Sequence, residues 1–439
     1  MRIWKMLAAT ALLWPAAAVA DEVEKLTLDL LLGSEAEKAT ASTALIARGD
    51  PDVIPSLIHL MRLGGEHKAI SATLSALSST SLRTWREAMV WQEAQPALPP
   101  HPSFYTVKMR FLASIDDRFR DFFGPALADP DSRRIRFEEV VWGGVKVDGI
   151  PSLDNPAMIL AAEAAYMRED DLVFGVEING DARAYPLRIM GWHEMANDVV
   201  GGVPVALSYC TLCGSGILYE TAREGGGAFV FGSSGLLHRS NKLMFDRQTR
   251  SLWQQFRGEP VVGPLTHSGI RLRQRPLAIS TWADWRALHP DTRVLALETG
   301  HIRDYDPGVA YRDYFASPDL MFPVAQGADG VAPKDFVFGI TRFGAAKAWP
   351  VAAFAETSVI NDRVGDLSVV LIGEADGRTV RAYDRGDHLV KMDEVSDYVM
   401  TEDALLTPDG QTLPRVAGRL SYWFAWDNAN AFESALYAR

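Results

Sequence analysis

The stretch VFGVEINGDARAYPL at residues 173–187 is followed, 164 positions later, by VFGITRFGAAKAWPV at residues 337–351. Both stretches alternate short β-branched runs with glycine and end at a proline, which is typical of a strand hairpin. A repeat with so long a period predicts a duplicated domain and not a solenoid. The positions that agree at this offset are Gly175 and Gly339, Gly180 and Gly344, Pro186 and Pro350, Asn197-Asp198 and Asn361-Asp362, and Gly201 and Gly365.

The repeat separates residues that serve the fold from residues that serve chemistry. We expect the shared glycines and the Asn-Asp pair to lie in turns or caps, and the shared prolines to end strands. More loosely, STWADW at 280–285 matches SYWFAW at 421–426. The second copy has Thr357 where the first has His193, and it contains no cysteine. The sequence therefore places the chemistry in the first copy.

The character of the chain changes near Arg134. Before that point, Asp50 and Pro51 can start a helix, and KAISATLSALSS at 68–79 gives a second helical pattern, so the pair resembles one HEAT-type unit. Gly64-Gly65 is expected to end the first helix. After that point, short β-branched and aromatic runs predict strands, with a helical insert at NPAMILAAEAAYM, residues 155–167.

The predicted fold is a β-rich α+β protein with an internal duplication. We divide it into a signal peptide (1–20), a helical HEAT-like region with its connector (21–130), a first repeat that carries a cysteine and histidine site (131–300), and a second, degenerate repeat (301–439).

Export is expected from the first twenty residues. They combine Arg2 and Lys5, an apolar run and a small-residue end at Ala20, which is typical of a signal peptide cleaved there. No later stretch approaches the roughly 20 apolar residues of a transmembrane helix. The net charge of −12 becomes −14 after cleavage, which disfavours nucleic acid as a partner. We expect a periplasmic or secreted protein.

Cys210 and Cys213 are the only cysteines of the 439 residues, in SYCTLCGSG at 208–216. A disulfide across a four-residue loop would stabilise the fold by only about 2 kcal/mol, so an inert crosslink is disfavoured. A thioredoxin-like pair would start a helix, whereas Gly214 and Gly216 predict a turn between two strands. A dithiol centre and a metal-binding knuckle both remain open.

Other ligands would have to complete a metal site. His193 is the natural third ligand, because it lies in the same copy, and Glu194 could orient it or relay a proton. Met244 would add a thioether, which with two thiolates favours copper over zinc. In the same region, His238 is a further candidate for the pocket, and Ser240, Asn241 and Asp246 could supply hydrogen bonds. Asp246-Arg247 recurs as Asp384-Arg385, so we interpret Asp246 as part of the scaffold.

These residues lie in strings that resemble a known family. INGDARAYPLRIMGWHEMANDVVGGVPVALSYCTLCGSGILYE at 178–220 and SGLLHRSNKLMFDRQTRSLW at 234–253, with WGGVKVDGIPSL upstream, resemble the bacterial DUF3179 family over roughly residues 100–430. The resemblance implies export. It also implies that selenocysteine can replace a cysteine of the motif, which favours redox or soft-metal chemistry. Many relatives are expected to have Tyr at position 238, so His238 is not expected to be essential.

The sequence thus predicts an exported oxidoreductase whose centre is Cys210, Cys213 and His193, with bound copper, Met244 as a fourth ligand and Glu194 in support. Zinc is the other metal considered. The alternatives are a metal-free dithiol/disulfide oxidoreductase, and a non-catalytic metal-binding or structural protein. The redox partner would be a small molecule or a protein.

Overall fold

The computed structural model describes residues 21–63, 68–124, 130–325, 331–431 and 433–438. The predicted signal peptide and the Gly64-Gly65 helix end lie outside the described residues. Among those that are described, no helix is both long enough and apolar enough to span a membrane.

The α-helices of the described chain lie mostly before the sheets. They are α1 (Glu22–Leu32), α2 (Glu35–Arg48), α3 (Ile54–Met61), α4 (Lys68–Ser78), α5 (Trp85–Glu93), α6 (Ser103–Ile115), α7 (Phe119–Phe123), α8 (Leu187–His193), α9 (Trp282–Leu288), α10 (Arg312–Ala316) and α11 (Trp423–Ala429).

The strands are short and begin at Val140. They are β1 (Val140–Trp142), β2 (Leu153–Asp154), β3 (Met158–Leu160), β4 (Leu172–Ile178), β5 (Asp181–Pro186), β6 (Met195–Val200), β7 (Val203–Cys210), β8 (Ser215–Glu220), β9 (Phe231–His238), β10 (Asn241–Asp246), β11 (Leu252–Gln254), β12 (Glu259–Val262), β13 (Gln274–Arg275), β14 (Ala278–Thr281), β15 (Arg293–Leu295), β16 (Phe336–Arg342), β17 (Ala345–Pro350), β18 (Val359–Val364), β19 (Leu367–Glu374), β20 (Thr379–Asp384), β21 (Val399–Met400), β22 (Ala404–Leu406), β23 (Thr412–Val416), β24 (Arg419–Tyr422) and β25 (Ala435–Leu436).

These strands form five small sheets in a propeller-like ring. Their orders are β1-β9-β10-β11-β12, β13-β8-β7-β6-β2, β14-β4-β5-β15-β3, β24-β16-β17-β25 and β18-β19-β20-β23-β22-β21. The mixed α+β class predicted from the sequence is therefore confirmed, with helices first and a β-rich remainder.

The predicted helical start at Asp50 and Pro51 is confirmed. The Asp50 carboxylate accepts a hydrogen bond from the Asp52 backbone, and a 3-10 turn at Pro51–Val53 leads into α3. Leu57 and Ile58 of α3 are fully buried in a core that α1, α2, α4 and α5 share. Burial of this apolar face holds the helical region together, since helices this short are marginal alone.

Two segments have matching strand patterns. Unit one (residues 172–220) contains β4 to β8, and unit two (residues 336–384) contains β16 to β20. In both units the first hairpin has an antiparallel strand on one side, β14 or β24, and a parallel strand on the other, β15 or β25. The parallel strands meet Ala184 and Ala348, which are equivalent positions.

The shared residues act in part as predicted. Pro186 and Pro350 end strands β5 and β17, and Gly180 and Gly344 have φ values of 81° and 85° in the hairpin turns, which favour glycine. The shared prolines and these glycines thus confirm the prediction for strand ends and turns.

Gly175 and Gly339 differ from the prediction, because they lie within strands. An added Cβ would lie 2.3 Å from the Trp285 ring at Gly175, and 2.2 Å from the Trp426 ring at Gly339. These glycines admit a tryptophan from the helix that follows β14 or β24. Both tryptophans belong to the matching STWADW and SYWFAW strings, so the loose sequence match has a packing reason.

The Asn-Asp pairs were also expected in turns, and this is wrong. Asn197-Asp198 lies in β6 and Asn361-Asp362 in β18. The Asp198 carboxylate accepts hydrogen bonds from Arg183 and from the Tyr185 hydroxyl. Strand pairing together with these side-chain bonds outweighs the local turn preference of Asn and Asp.

The helical insert predicted at 155–167 is wrong as well. Met158–Leu160 forms β3, which pairs with β15, and only a 3-10 turn follows at Ala161–Glu163. The alanine-rich composition favours a helix locally, but pairing with β15 at the sheet edge overrides that weak preference.

The two units pack against each other. One buried cluster joins Cys210, Cys213 and Met244 to Val337 and Trp426 of the chain around unit two. The cysteine turn therefore lies in a shared core and not at a free surface.

Candidate functional site

The cysteine pair occupies the turn between two adjacent strands, as the sequence predicts. β7 ends at Cys210, Thr211–Cys213 forms a 3-10 turn, and β8 begins at Ser215. Gly214 has a φ of 59°, and a Cβ there would lie 2.8 Å from the Phe336 ring. Glycine is required at this position because the conformation is left-handed and the neighbouring ring is close.

The two sulfurs are close together and buried. Cys210 and Cys213 are free thiols with their Sγ atoms 2.8 Å apart, and they are 2% and 0% exposed. A disulfide requires a separation of about 2.05 Å, so closing the bond needs only a small movement of the sulfurs. Burial, and next the hydrogen bond with Cys210, raises the pKa of the Cys213 thiol well above its usual value.

Polar groups of the neighbouring hairpin surround Cys213. Its Sγ donates to the Ser240 carbonyl at 3.5 Å and accepts from the Asn241 side-chain amide at 3.3 Å. The Asn241 amide also donates to Gln255 at 2.9 Å, which fixes its orientation. Ser240 and Asn241 thus supply the hydrogen bonds predicted for them. Asp246 bonds Trp253 and Thr249, as expected of a scaffold residue.

Gln255 in turn holds both strands of the cysteine hairpin. Its side-chain amide donates to the carbonyls of Ser208 and Ser215, at 2.9 and 3.0 Å. Since Ser208 and Ser215 lie on β7 and β8, Gln255 links the base of the turn to Asn241 and so to the Cys213 sulfur.

Glu194 lies beside the cysteine turn. It follows α8 with a φ of 55°, an uncommon left-handed conformation for a glutamate, and its carbonyl accepts from the Tyr209 backbone at 2.9 Å. This backbone bond anchors the end of α8 directly to β7, one residue before Cys210.

The Glu194 carboxylate has three partners. One oxygen accepts from the Thr211 and Tyr311 hydroxyls at 2.7 and 3.0 Å, and the other pairs with Lys242 at 3.2 Å. Thr211 lies between the two cysteines, so its hydrogen bond to the carboxylate fixes the conformation of the turn. The ion pair is buried, and removing one partner would leave an uncompensated charge.

His193 contacts a different part of the chain. Its two ring nitrogens lie 2.9 Å from the Pro151 carbonyl and 2.6 Å from the Tyr305 hydroxyl. Burial lowers the pKa of His193 to about 4, so the ring is neutral at pH 7. Both nitrogens are therefore already engaged, and neither bonds to a cysteine or to Glu194.

Met244 is fully buried on β10 and belongs to the same apolar cluster as the two cysteines. Within the residues that the structure describes, no three His, Cys, Asp or Glu side chains are grouped to hold a metal ion. The predicted residues thus form two sets: the cysteines with Glu194 at the turn and Met244 in their core, and His193 apart from them.

A cover segment, residues 304–325, lies over the turn. The Tyr314 hydroxyl donates to the Leu212 carbonyl at 2.7 Å, and Tyr311 bonds Glu194. His193 bonds Tyr305 at the start of the segment, and Ser240 donates to the Pro323 carbonyl near its end, at 3.1 Å. His193 and Glu194, together with the cysteine turn, therefore hold this cover in place.

The sequence of this region matches one family description. Residues 147–434 match the family described as "Protein of unknown function (DUF3179)". The chain belongs to the DUF3179 family. No curated protein and no solved structure matches the chain.

Some site residues of this DUF3179 chain were missed by sequence reasoning. They are Thr211, Lys242, Gln255, Tyr311 and Tyr314. Thr211 and Lys242 lie inside the strings that carry the family resemblance, so their neighbourhood was found but not their role. Tyr311 and Tyr314 lie in a segment with no regular periodicity, where no sequence pattern indicates that the chain returns over the turn.

Proposed function

We propose that this protein is a dithiol/disulfide oxidoreductase whose redox centre is Cys210 and Cys213. The observation that carries the proposal is the pair of free thiols 2.8 Å apart in one turn. A turn held by Glu194, Asn241 and Gln255 keeps both sulfurs in position for forming and opening one disulfide. The substrate is a disulfide of a small molecule or of a protein.

The reaction is a thiol–disulfide exchange. A thiolate of the pair attacks one sulfur of the substrate disulfide, forming a mixed disulfide and releasing one substrate thiolate. The second cysteine then attacks the mixed disulfide, which releases the other substrate thiol and leaves the Cys210–Cys213 disulfide. Two protons pass to the substrate sulfurs, and two electrons leave the cysteine pair.

Reaching the sulfurs requires the cover segment to move. Tyr311 and Tyr314 each hold it to the site through one hydroxyl hydrogen bond. Such bonds contribute only about 1 kcal/mol each. The segment also buries Tyr314, Leu320 and Phe322 in the cluster that contains the cysteines, so exposing these side chains is the main free-energy cost of local opening.

A copper centre is the second candidate, because Met244 and both cysteines share one buried apolar cluster. Two thiolates and a thioether form a donor set that suits copper(I). The sulfurs would have to separate, since thiolates about 2.3 Å from one tetrahedral ion lie about 3.8 Å apart. His193 would have to leave Pro151 and Tyr305 to join them, so the geometry favours the metal-free centre.

Two wider proposals accompany this function. Units one and two derive from a duplication, supported by the equal 164-residue offset and the matching strand partners. The protein is exported, supported by the composition of residues 1–20. In this proposal unit two serves as scaffold and core for the redox turn of unit one.

The test is a redox titration of the full chain. The protein is equilibrated in glutathione or dithiothreitol buffers, free thiols are counted with a chromogenic disulfide reagent, and bound metal is measured by mass spectrometry. We expect one reversible two-thiol transition at a potential roughly within the range of thiol oxidoreductases, about −270 to −120 mV, with no metal requirement.

Matched variants identify the centre. Cys210→Ser abolishes the transition, whereas Glu374→Ser, at the equivalent exposed position of unit two, leaves it unchanged. Thiols that stay reduced in every buffer would refute the dithiol proposal. Copper retained by the wild type and lost in both Cys210→Ser and Met244→Leu would establish the copper centre instead.

A further inference from the structure

A cavity of about 240 Å³ lies where β9 turns into β10, and one of its lining residues, Asn241, contacts the Cys213 sulfur. A space of this size suits a small ligand. Its polar lining residues are Arg134, Arg136, Glu139, His238, Arg239, Asn241, Gln254, Arg257 and Asn428.

The lining is strongly cationic. Four arginines and one carboxylate, Glu139, line the cavity, and Glu139 pairs with Arg136 and Arg239. Arg134 and Arg136 also pair with Glu259 and Glu138, which lie outside the lining. Although burial alone would raise the pKa of Glu139, hydrogen bonds from His238 and Arg239 lower it to about 2, so the group is a carboxylate. Arg257 forms no ion pair with any described residue and only donates to the Ala429 carbonyl. The positive charge of Arg257 is therefore available to bind an anion in the cavity.

Buried polar atoms of the lining residues lack partners among the described residues. They are His238 Nδ1, Asn241 Oδ1, Asn428 Oδ1 and Arg136 Nη2. His238, Asn241 and Asn428 are only 8%, 6% and 7% exposed. An unpaired buried polar group is costly. These atoms have almost no accessible surface, so a ligand in the cavity satisfies them once the side chains that carry them rotate toward it.

The unpaired atoms also indicate what the ligand carries. His238 Nε2 bonds the Glu139 carboxylate and must donate, and burial lowers the pKa of His238, so Nδ1 of the neutral ring is an acceptor. The amides of Asn241 and Asn428 donate elsewhere, which leaves their oxygens as acceptors. Three acceptors require N–H or O–H donors on the ligand.

The turn between β9 and β10 is strained in a way that serves this cavity. Arg239 and Ser240 have φ values of 47° and 61°, where a two-residue hairpin favours asparagine and glycine. Such strain is common at binding sites. This turn conformation lets Arg239 donate to the Glu139 carboxylate and lets Asn241 donate to the Cys213 sulfur.

We propose that this cavity binds a small organic anion that also carries hydrogen-bond donors, such as a hydroxy acid or an amino acid. The arginines bind the carboxylate, and the acceptor atoms of His238, Asn241 and Asn428 bind its hydroxyl or amino group. Asn241 is a positioning residue that joins the cavity to the redox turn, since its amide contacts the Cys213 sulfur. Ligand binding therefore alters the reactivity of Cys213.

Calorimetry on the full, reduced chain tests the binding, with malate as the probe and succinate as the probe that lacks the hydroxyl. We expect malate to bind at low salt and succinate to bind more weakly. Arg257→Gln and Arg136→Gln each weaken malate binding by about tenfold or more, because a charge-assisted hydrogen bond is lost. Arg342→Gln, an exposed arginine of unit two, is the control and binds malate like the wild type.

Several results would overturn the proposal: no malate binding, equal binding by the Arg257→Gln and Arg136→Gln variants, or succinate binding as tight as malate. Melting temperatures verify that each variant is folded. The rate at which Cys213 reacts with the chromogenic disulfide reagent, with and without malate, tests the link through Asn241. That readout rests on the proposed redox function, whereas calorimetry does not, so failure of one is distinguishable from failure of the other.

Discussion

Unit one and unit two build the same backbone around different turns. The Tyr209 backbone N–H donates to the Glu194 carbonyl at 2.9 Å, and at the equivalent positions of unit two Gly373 donates to Ser358 at the same distance. The side chain of Asn197 exchanges two hydrogen bonds with the backbone of Phe231. Asn361 does the same with Val390.

The units differ where the strands meet the turn. The position of Cys210 in unit one is that of Glu374 in unit two, which is exposed. Glu194 holds a buried Lys242 and the Thr211 hydroxyl, whereas Ser358 contributes its backbone carbonyl. The comparison teaches that residues common to both units determine the frame. Residues of unit one that unit two lacks then assemble the site together with Asn241, Lys242 and Gln255, which follow unit one in the chain.

The largest expected difference concerns Glu194. Glu194→Ala leaves Lys242 as an unpaired buried charge and releases Thr211, so we expect a loss of about 3–5 kcal/mol in unfolding free energy. Ser358→Ala keeps the equivalent backbone bond and costs less than about 0.5 kcal/mol. Urea denaturation of both variants measures the difference.

Glu194→Gln serves as the control for charge. Its oxygen can still accept from Thr211 and Tyr311, so the turn is retained while the ion pair is lost, and we expect an intermediate stability. If Glu194→Ala and Ser358→Ala had equal stabilities, the site would not depend on a buried carboxylate that unit two lacks.

The strand glycines should respond alike in both units. Gly175→Ala and Gly339→Ala each force a Cβ into a tryptophan ring, and overpacking of this kind costs up to about 3 kcal/mol. Thermal unfolding of each variant measures the cost. In Gly344→Ala the added Cβ meets nothing within 4 Å, so this variant isolates the cost of the left-handed backbone, about 1–2 kcal/mol. A loss of stability in only one of the two variants, Gly175→Ala or Gly339→Ala, would contradict the proposal that both units share the same packing.

The sequence was sufficient for those parts of the fold that follow local rules. Strands β7 and β8, the turn between them and the start of α3 were predictable because alternation, glycine and capping residues are local signals. The failures at Asn197-Asp198 and at residues 155–167 have one cause. In both places a partner distant in sequence, such as Arg183 or β15, decides the conformation, and no single-sequence pattern reports it.

The site was predictable only in part for the same reason. The repeat identified Cys210, Cys213 and Glu194 because unit two lacks them, and all three lie at one turn. The repeat selected His193 by the same argument, yet this residue holds Tyr305 of the cover segment. Absence from the second unit marks a residue as special without indicating which partner it contacts.

The two aspartates of the strand pairs offer a finer comparison. Asp198 is well buried and accepts from Arg183 and Tyr185, whereas Asp362 is more exposed and accepts from Lys347 and Trp349. We expect Asp198→Ala to cost about 2 kcal/mol and Asp362→Ala about 1 kcal/mol, because desolvated bonds matter more. Denaturant titration of the two variants measures their unfolding free energies. A larger loss for Asp362→Ala than for Asp198→Ala would mean that the side-chain bonds of unit two contribute more to stability.

The smallest expected difference is a pH effect confined to unit one. Burial lowers the pKa of His193 from 6.5 to about 4, so between these values the unfolded chain binds more protons than the folded one. Stability therefore falls as the pH drops, by about 1 kcal/mol between pH 7 and pH 5.5 from this residue alone. His193→Gln removes this contribution, whereas Thr357→Ser at the matching position keeps the wild-type profile. The unfolding free energy of each chain at the two pH values measures the slope; parallel profiles for His193→Gln and wild type would show that His193 titrates equally in both states.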